Sequence, residues 1–105
     1  MDPNLFKGNL DLIVLSVLEG GERYGLEINK EVNARTGGYL TLNAGSLYPA
    51  LHRLERAGWV GAEERTPPRG GPKVRYYTLT LSGRAELERR RAAYNSFDHA
   101  LRALW

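Results

Sequence analysis

The chain of 105 residues has no cysteine, one methionine and two histidines. Without thiols there is no disulfide, no thiol nucleophile and no cysteine-ligated zinc or iron–sulfur centre. His52 and His99 stand far apart and neither has a ligand-like neighbour in sequence, so no metal motif is present. Long apolar runs are also missing. The longest, residues 12–18, is interrupted by Ser16 and falls well short of the ~20 residues that span a bilayer. Ahead of it stand Met1-Asp2-Pro3-Asn4 with Lys7 as the one basic residue, and after it Glu19-Gly20-Gly21. This lacks the basic start and small-residue cleavage site of a secretory leader, so a cytoplasmic protein without membrane contact is expected. Signs of catalysis are lacking too. Ser46 and His52 would lie about 600° apart around one helix, and no acid is placed to orient the histidine. Gly70-Gly71 lacks the Lys-Ser/Thr ending of a phosphate loop. Neither an enzyme nor a cofactor is expected.

What is present describes one small globular domain, 42% hydrophobic and 26% charged. A monomer of this size buries only roughly 60–70% of its unfolded surface, which makes association with a second copy an expectation. The net charge of +3 is unevenly spread. Residues 1–64 hold six Lys/Arg and nine Asp/Glu, whereas residues 65–91 hold eight basic residues and two acids. An arginine-rich stretch suits a polyanion, because the guanidinium fork matches phosphate. A solvated basic face is the plainer alternative.

Hydrophobic spacing predicts four helices. The first, capped by Asn9 with Asp11 in its first turn, places Leu10, Ile13, Val14, Val17 and Leu18 on one face. Leu12 and Leu15 make the opposite side apolar as well, so this helix is expected to be covered on two sides, once by a partner subunit. Gly20-Gly21 ends it. A second helix spans about residues 24–36, with Ile28 and Val32 inward, a Glu31–Arg35 pair outward and Gly37-Gly38 as its stop. In the third, capped by Asn43 or Ser46 and ended by Ala57-Gly58, the residues Leu47, Leu51 and Leu54 turn inward. Pro49 favours Ser46 as the cap, since proline is tolerated in a first turn.

After Gly58 the period changes. Val60, Ala62 and Glu64 alternate in a short strand, residues 66–72 (TPPRGGP) can only turn, and residues 73–80 form a second strand. Ser82 offers the cap of a long last helix on which Leu87, Tyr94, Phe97, Leu101 and Leu104 recur as a heptad seam. Arg91 lies near that seam, placed to pair with an acid across an interface.

Three helices and then a hairpin are the order of a winged helix-turn-helix: a mostly α fold with a small β-hairpin, here followed by a long C-terminal dimerisation helix. Residues 1–81 form the expected DNA-binding unit and residues 82–105 the dimerisation helix. In such a fold one helix enters the major groove and the wing reaches an adjacent groove or the backbone. With the three leucines inward, Tyr48, His52 and Arg56 share the outer stripe of the third helix, flanked by Ser46 and Arg53. Pro49 on the same helix and Tyr24 at the start of the second are counted with this surface. The wing supplies Arg69, Lys73 and Arg75. Leu10, Val14, Leu87, Tyr94, Phe97, Leu101 and Leu104 are the expected dimer contacts. Tyr76 and Trp59 read as packing, while Trp105 could pack, cap the interface or line a ligand pocket.

Several stretches also resemble the PadR family of bacterial transcriptional regulators. Leu10-Asp11-Leu12-Ile13-Val14-Leu15 is similar to the family's first helix and Tyr24-Gly25 to the start of its second. Gly45-Ser46-Leu47-Tyr48-Pro49-Ala50-Leu51, continuing to Leu54-Glu55-Arg56-Ala57-Gly58, is similar to its reading helix. Tyr76-Tyr77-Thr78-Leu79-Thr80 and Gly83 are similar to its second wing strand and the entry to its last helix. The resemblance implies a homodimer on a near-palindromic double-stranded operator, usually a repressor relieved by a small-molecule effector. With a single helix after the wing, the chain resembles the family's short form, without an effector site in a longer C-terminal domain. The rival expectation is a winged-helix module that binds protein and not DNA, motivated by the acidic balance of residues 1–64.

Overall fold

The computed structural model describes residues 2–105; Met1 lies outside them. The elements run α1 (Pro3–Leu18), β1 (Arg23–Tyr24), α2 (Gly25–Arg35), α3 (Ala44–Arg56), β2 (Val60–Arg65), β3 (Val74–Leu79) and α4 (Leu81–Arg102). This is a winged helix-turn-helix with a long terminal helix, as the element order predicts.

The boundaries teach some local chemistry. α1 begins well before the expected Asn9, because the Asp2 carboxylate accepts from the backbone N–H groups of Asn4 and Leu5 at 2.8 and 3.1 Å and Pro3 occupies the first helical position. Asn9 lies inside the helix, where its side chain donates to the Leu5 carbonyl at 2.8 Å. Asp11 is therefore a mid-helix residue. At α3, the Asn43 side chain accepts from Ser46 N at 2.9 Å and so is the cap. Pro49 then falls in the second turn, on the exposed side, where the lost helical hydrogen bond faces water. α4 is capped by Thr80 and not by Ser82. The Thr80 hydroxyl accepts from Gly83 N at 2.9 Å and donates to the Gly58 carbonyl at 2.7 Å, tying the helix start to the turn after α3.

The sheet has one strand more than the expected hairpin. β2 and β3 pair antiparallel with Ala62 opposite Tyr77 and Glu63 opposite Tyr76, and β1 joins the other edge of β3 with Arg23 opposite Tyr77. The chain reverses between β2 and β3 through a turn in which Gly70 N donates to the Pro67 carbonyl at 2.8 Å. Gly70 and Gly71 follow at φ +85° and +92°, values that exclude most side chains.

The core gathers Val14, Leu15 and Leu18 of α1, Ile28 and Val32 of α2, Leu47, Leu51 and Leu54 of α3, and Val60, Tyr77 and Leu87 from the wing and α4. Three expected dimer contacts belong to this core. Val14 and Leu87 are fully covered within the chain and Leu10 nearly so, leaving no apolar surface to offer a second copy. Leu15 is likewise enclosed, so of the second apolar side of α1 only the half-buried Leu12 remains. Arg91 finds its acid within the chain: it donates to both oxygens of Glu19 at 2.9 and 3.1 Å and holds that carboxyl below its usual range. Among the described residues no helix is long and apolar enough to cross a membrane.

Candidate nucleic-acid interface

α3 advances about 100° per residue. Leu47, Ala50, Leu51 and Leu54 are buried, which fixes the inward direction. Tyr48, Pro49, His52, Arg53 and Arg56 are exposed, and Ser46 is half-buried. His52, Pro49 and Arg56 stand furthest from the core direction. Arg53 and Glu55 fall on the two flanks.

Both flanks are tied down. On one side Arg75 of β3 donates from Nη2 to both oxygens of Glu55 at 2.8 and 2.9 Å, which joins the wing to α3 and raises the hold on the Arg75 proton. On the other side Arg53 donates to Asp11 of α1 at 2.8 Å. Two of the site arginines predicted from sequence thus carry ion pairs of their own chain. Among the described residues Arg56, Arg69 and Lys73 form no such pair, and all three are exposed. The partners Asp11 and Glu55 escaped the sequence reading because they lie 42 and 20 positions away from the arginines they hold.

The Tyr48 ring lies across Gly25: a methyl group built at that glycine would stand 2.3 Å from the phenol oxygen. The glycine at the start of α2 thus leaves room for the Tyr48 ring. Tyr48 borders a cleft of about 290 Å³ with Tyr24, Leu26, Val74 and Tyr77, between the helix-turn-helix and the wing. Tyr24 meets Tyr76 edge to face at 5.4 Å, and the Arg69 and Arg65 guanidinium groups lie over these rings at 5.6 and 4.3 Å respectively. Arg65 also pairs with Glu22, which lowers the Glu22 carboxyl below its usual range. Tyr76 is buried in this ladder, whose desolvation pushes its phenol up. Trp59 packs half-buried against the core under Arg90, whereas Trp105 is exposed with Arg102 over its ring. His52 and His99 lie on α3 and α4, and among the described residues no three His, Asp or Glu side chains group as a metal site.

Known proteins share this architecture. The chain superposes on a transcriptional regulator from Clostridium thermocellum with a TM-score of 0.84, covering 93% of this chain and 94% of that one; at 24% identity this speaks for the fold alone. A PadR family transcriptional regulator from Eggerthella lenta is 28% identical with a TM-score of 0.82, over 96% of this chain and 85% of that one. A Streptococcus transcriptional regulator is 27% identical with a TM-score of 0.80, over 98% of both chains. In sequence, an uncharacterised protein of Lysinibacillus sphaericus is 33% identical over 84 residues, covering 80% of this chain and 76% of its own length. The profile of the transcriptional regulator PadR-like family matches residues 14–89, from α1 to the first turns of α4. The chain belongs to the PadR-like family of transcriptional regulators.

Proposed function

We propose that the protein is a homodimeric, sequence-specific repressor that binds double-stranded DNA. The observation that carries this reading is the set of exposed basic side chains that pair with no acid among the described residues, Arg56 on the outer face of α3 and Arg69 and Lys73 in the wing, on elements that Arg75 and Glu55 lock together. α3 enters the major groove, where His52 and Arg56 meet base edges and Tyr48, Ser46 and Pro49 fit the groove wall. The wing's Arg69 and Lys73 meet the phosphates. Tyr24 supports this surface by holding Arg69 over its ring.

Two copies associate through the apolar residues that the fold leaves outside. Tyr94, Phe97 and Leu101 of α4 and Leu104 in the turn just beyond it are exposed, and Phe97 and Tyr94 border a groove of about 390 Å³ with Leu12 and Asn9 of α1 and with Arg89 and Arg90. Contiguous exposed apolar surface of this kind marks an association site. A small-molecule effector bound between α1 and α4 would alter the spacing of the two reading helices. Two-fold symmetry sets the operator as a near-palindrome with half-sites about one helical turn, roughly 34 Å, apart.

Selection from a random duplex pool, followed by footprinting of the winner, tests the reading. Arg56→Ala shifts the preferred sequence. Arg69→Ala and Lys73→Ala lower affinity for all sequences and flatten the log–log salt slope by about 0.9 for each phosphate no longer neutralised. No retention on duplex DNA at low salt overturns the proposal in favour of a protein-binding module.

A further inference from the structure

The Asp11 carboxylate faces arginines from two different helices. Its Oδ1 accepts from Arg53 Nη2 of α3 at 2.8 Å, and its Oδ2 stands 3.7 Å from Arg90 Nη1 of α4. Arg90 is itself fixed, with its Nε 2.6 Å from Glu86 and its guanidinium 5.1 Å above the Trp59 ring. Asp11 is therefore also attracted from the α4 side, which opposes its following Arg53 if that side chain swings outward. Among the described residues Arg53 pairs with no other acid, and its side chain is 56% exposed.

The position of Arg53 gives this pair a consequence for binding. A helix with its side chains is about 10–12 Å across and nearly fills a major groove about 12 Å wide, so residues on its flanks meet the phosphate walls. Arg53 is on such a flank. Its Nη2 donor is engaged by Asp11, and the carboxylate's repulsion of a phosphate offsets much of the attraction that the guanidinium exerts. We propose that Asp11 is a positioning residue that withholds Arg53 from the DNA backbone, so that Arg53 is a latent phosphate ligand and Asp11 sets the affinity of the protein for duplexes of any sequence. This rests on the DNA-binding reading above.

The test is fluorescence anisotropy of full-length variants on a labelled duplex of random sequence, between about 50 and 200 mM salt. Asp11→Asn should bind about two- to fivefold tighter at the low-salt end, the scale of one exposed ion pair, and steepen the log–log salt slope by about 0.9. Arg53→Ala alone should leave the wild-type slope unchanged, and Asp11→Asn/Arg53→Ala should return to it. Asp11→Glu, which keeps the charge, should stay near wild type. An Asp11→Asn slope equal to wild type overturns the proposal, as does an Arg53→Ala slope already flattened when Asp11 is intact. Should Asp11→Asn fail to fold in a thermal melt, the Arg53→Ala slope decides by itself. A wild type that binds no duplex refutes the DNA reading, whereas a wild type that binds with either contrary slope refutes this inference alone.

Discussion

The two halves of α4 carry one apolar repeat and meet opposite fates. In residues 81–91 the helix is built into its own chain. Leu87 is 1% exposed, Glu86 is covered and holds two arginines, Arg91 reaches Glu19 of the α1 terminus, and Gly83 lies against the Trp59 carbonyl. In residues 92–102, and in the turn of residues 103–105 where the helix stops short of its expected end, no side chain is buried, and Phe97 is 64% exposed. The spacing that reads as one seam from Leu87 to Leu104 is therefore two surfaces. Periodicity reports which face of a helix is apolar; what covers that face depends on where the rest of the chain ends up.

The sharpest way to break the inner half is Gly83→Ala. A Cβ there would stand 1.9 Å from the Trp59 carbonyl oxygen and 2.8 Å from a Leu79 methyl, and that carbonyl also accepts from Thr80 N at 3.1 Å. Backbone must move, and the expected loss is about 4 kcal/mol, in the range reserved for changes that break a packed junction. Next comes Leu87→Ala, which empties a fully enclosed site and should lower stability by about 3 kcal/mol. Urea unfolding checks both. A loss below ~1 kcal/mol at either position would mean that this half of α4 is not part of the core.

The same division explains what could be read from the sequence. The helix stops at Gly20, Gly37 and Gly58, the inward leucines of α3 and the turn chemistry of residues 66–72 depend on near neighbours, and all of them stand in the structure. The outer stripe of Tyr48, His52 and Arg56 followed from those leucines and is exposed as expected. Two caps were misplaced because several residues could serve and only the fold selects among them. Thr80 prevails over Ser82 because its hydroxyl also reaches Gly58, and the Asp2-Pro3 signal at α1 was outweighed by the apolar run further on. β1 was invisible, since two residues carry no period and exist as a strand only beside β3. The arginines of the site look alike in sequence, and only their distant partners separate Arg53 and Arg75 from Arg56, Arg69 and Lys73.

In the outer half, changes should leave the folded monomer nearly intact and act on assembly. Phe97→Glu combined with Leu101→Glu removes no buried side chain of the single chain, so stability of the single fold should change by no more than about 0.5 kcal/mol. Light scattering should report a monomer in place of the proposed dimer, and affinity for a selected operator should fall because two half-sites no longer act together. A variant that remains dimeric would move the interface elsewhere. Variants that lose the helical signal would show that residues 92–105 are held by their own chain after all.

The smallest effect separates the halves by pH. Glu86 of the inner half accepts from Arg89 at 2.6 and 2.8 Å and from Arg90 at 2.6 Å, and these charge-assisted hydrogen bonds draw its carboxyl down from 4.5 to about 2 despite its burial. A carboxyl whose folded pKa lies below its unfolded value stabilises the fold while it is ionised in both states. That contribution is complete above about pH 4.5 and is lost as pH falls towards 2, because the unfolded chain takes up the proton first. Asp98 of the outer half also pairs with an arginine, Arg102 at 3.1 Å, but out in solvent, where such a pair contributes little. The difference in stability between wild type and Glu86→Gln should accordingly be greatest near neutrality and shrink steadily between pH 4.5 and pH 2. Asp98→Asn, which removes only that solvent-facing pair, should change stability by no more than about 0.5 kcal/mol. Urea titrations at a few pH values measure both, and a Glu86→Gln difference that stays constant across the acid range would show that the arginines around it hold a shape and not a charge.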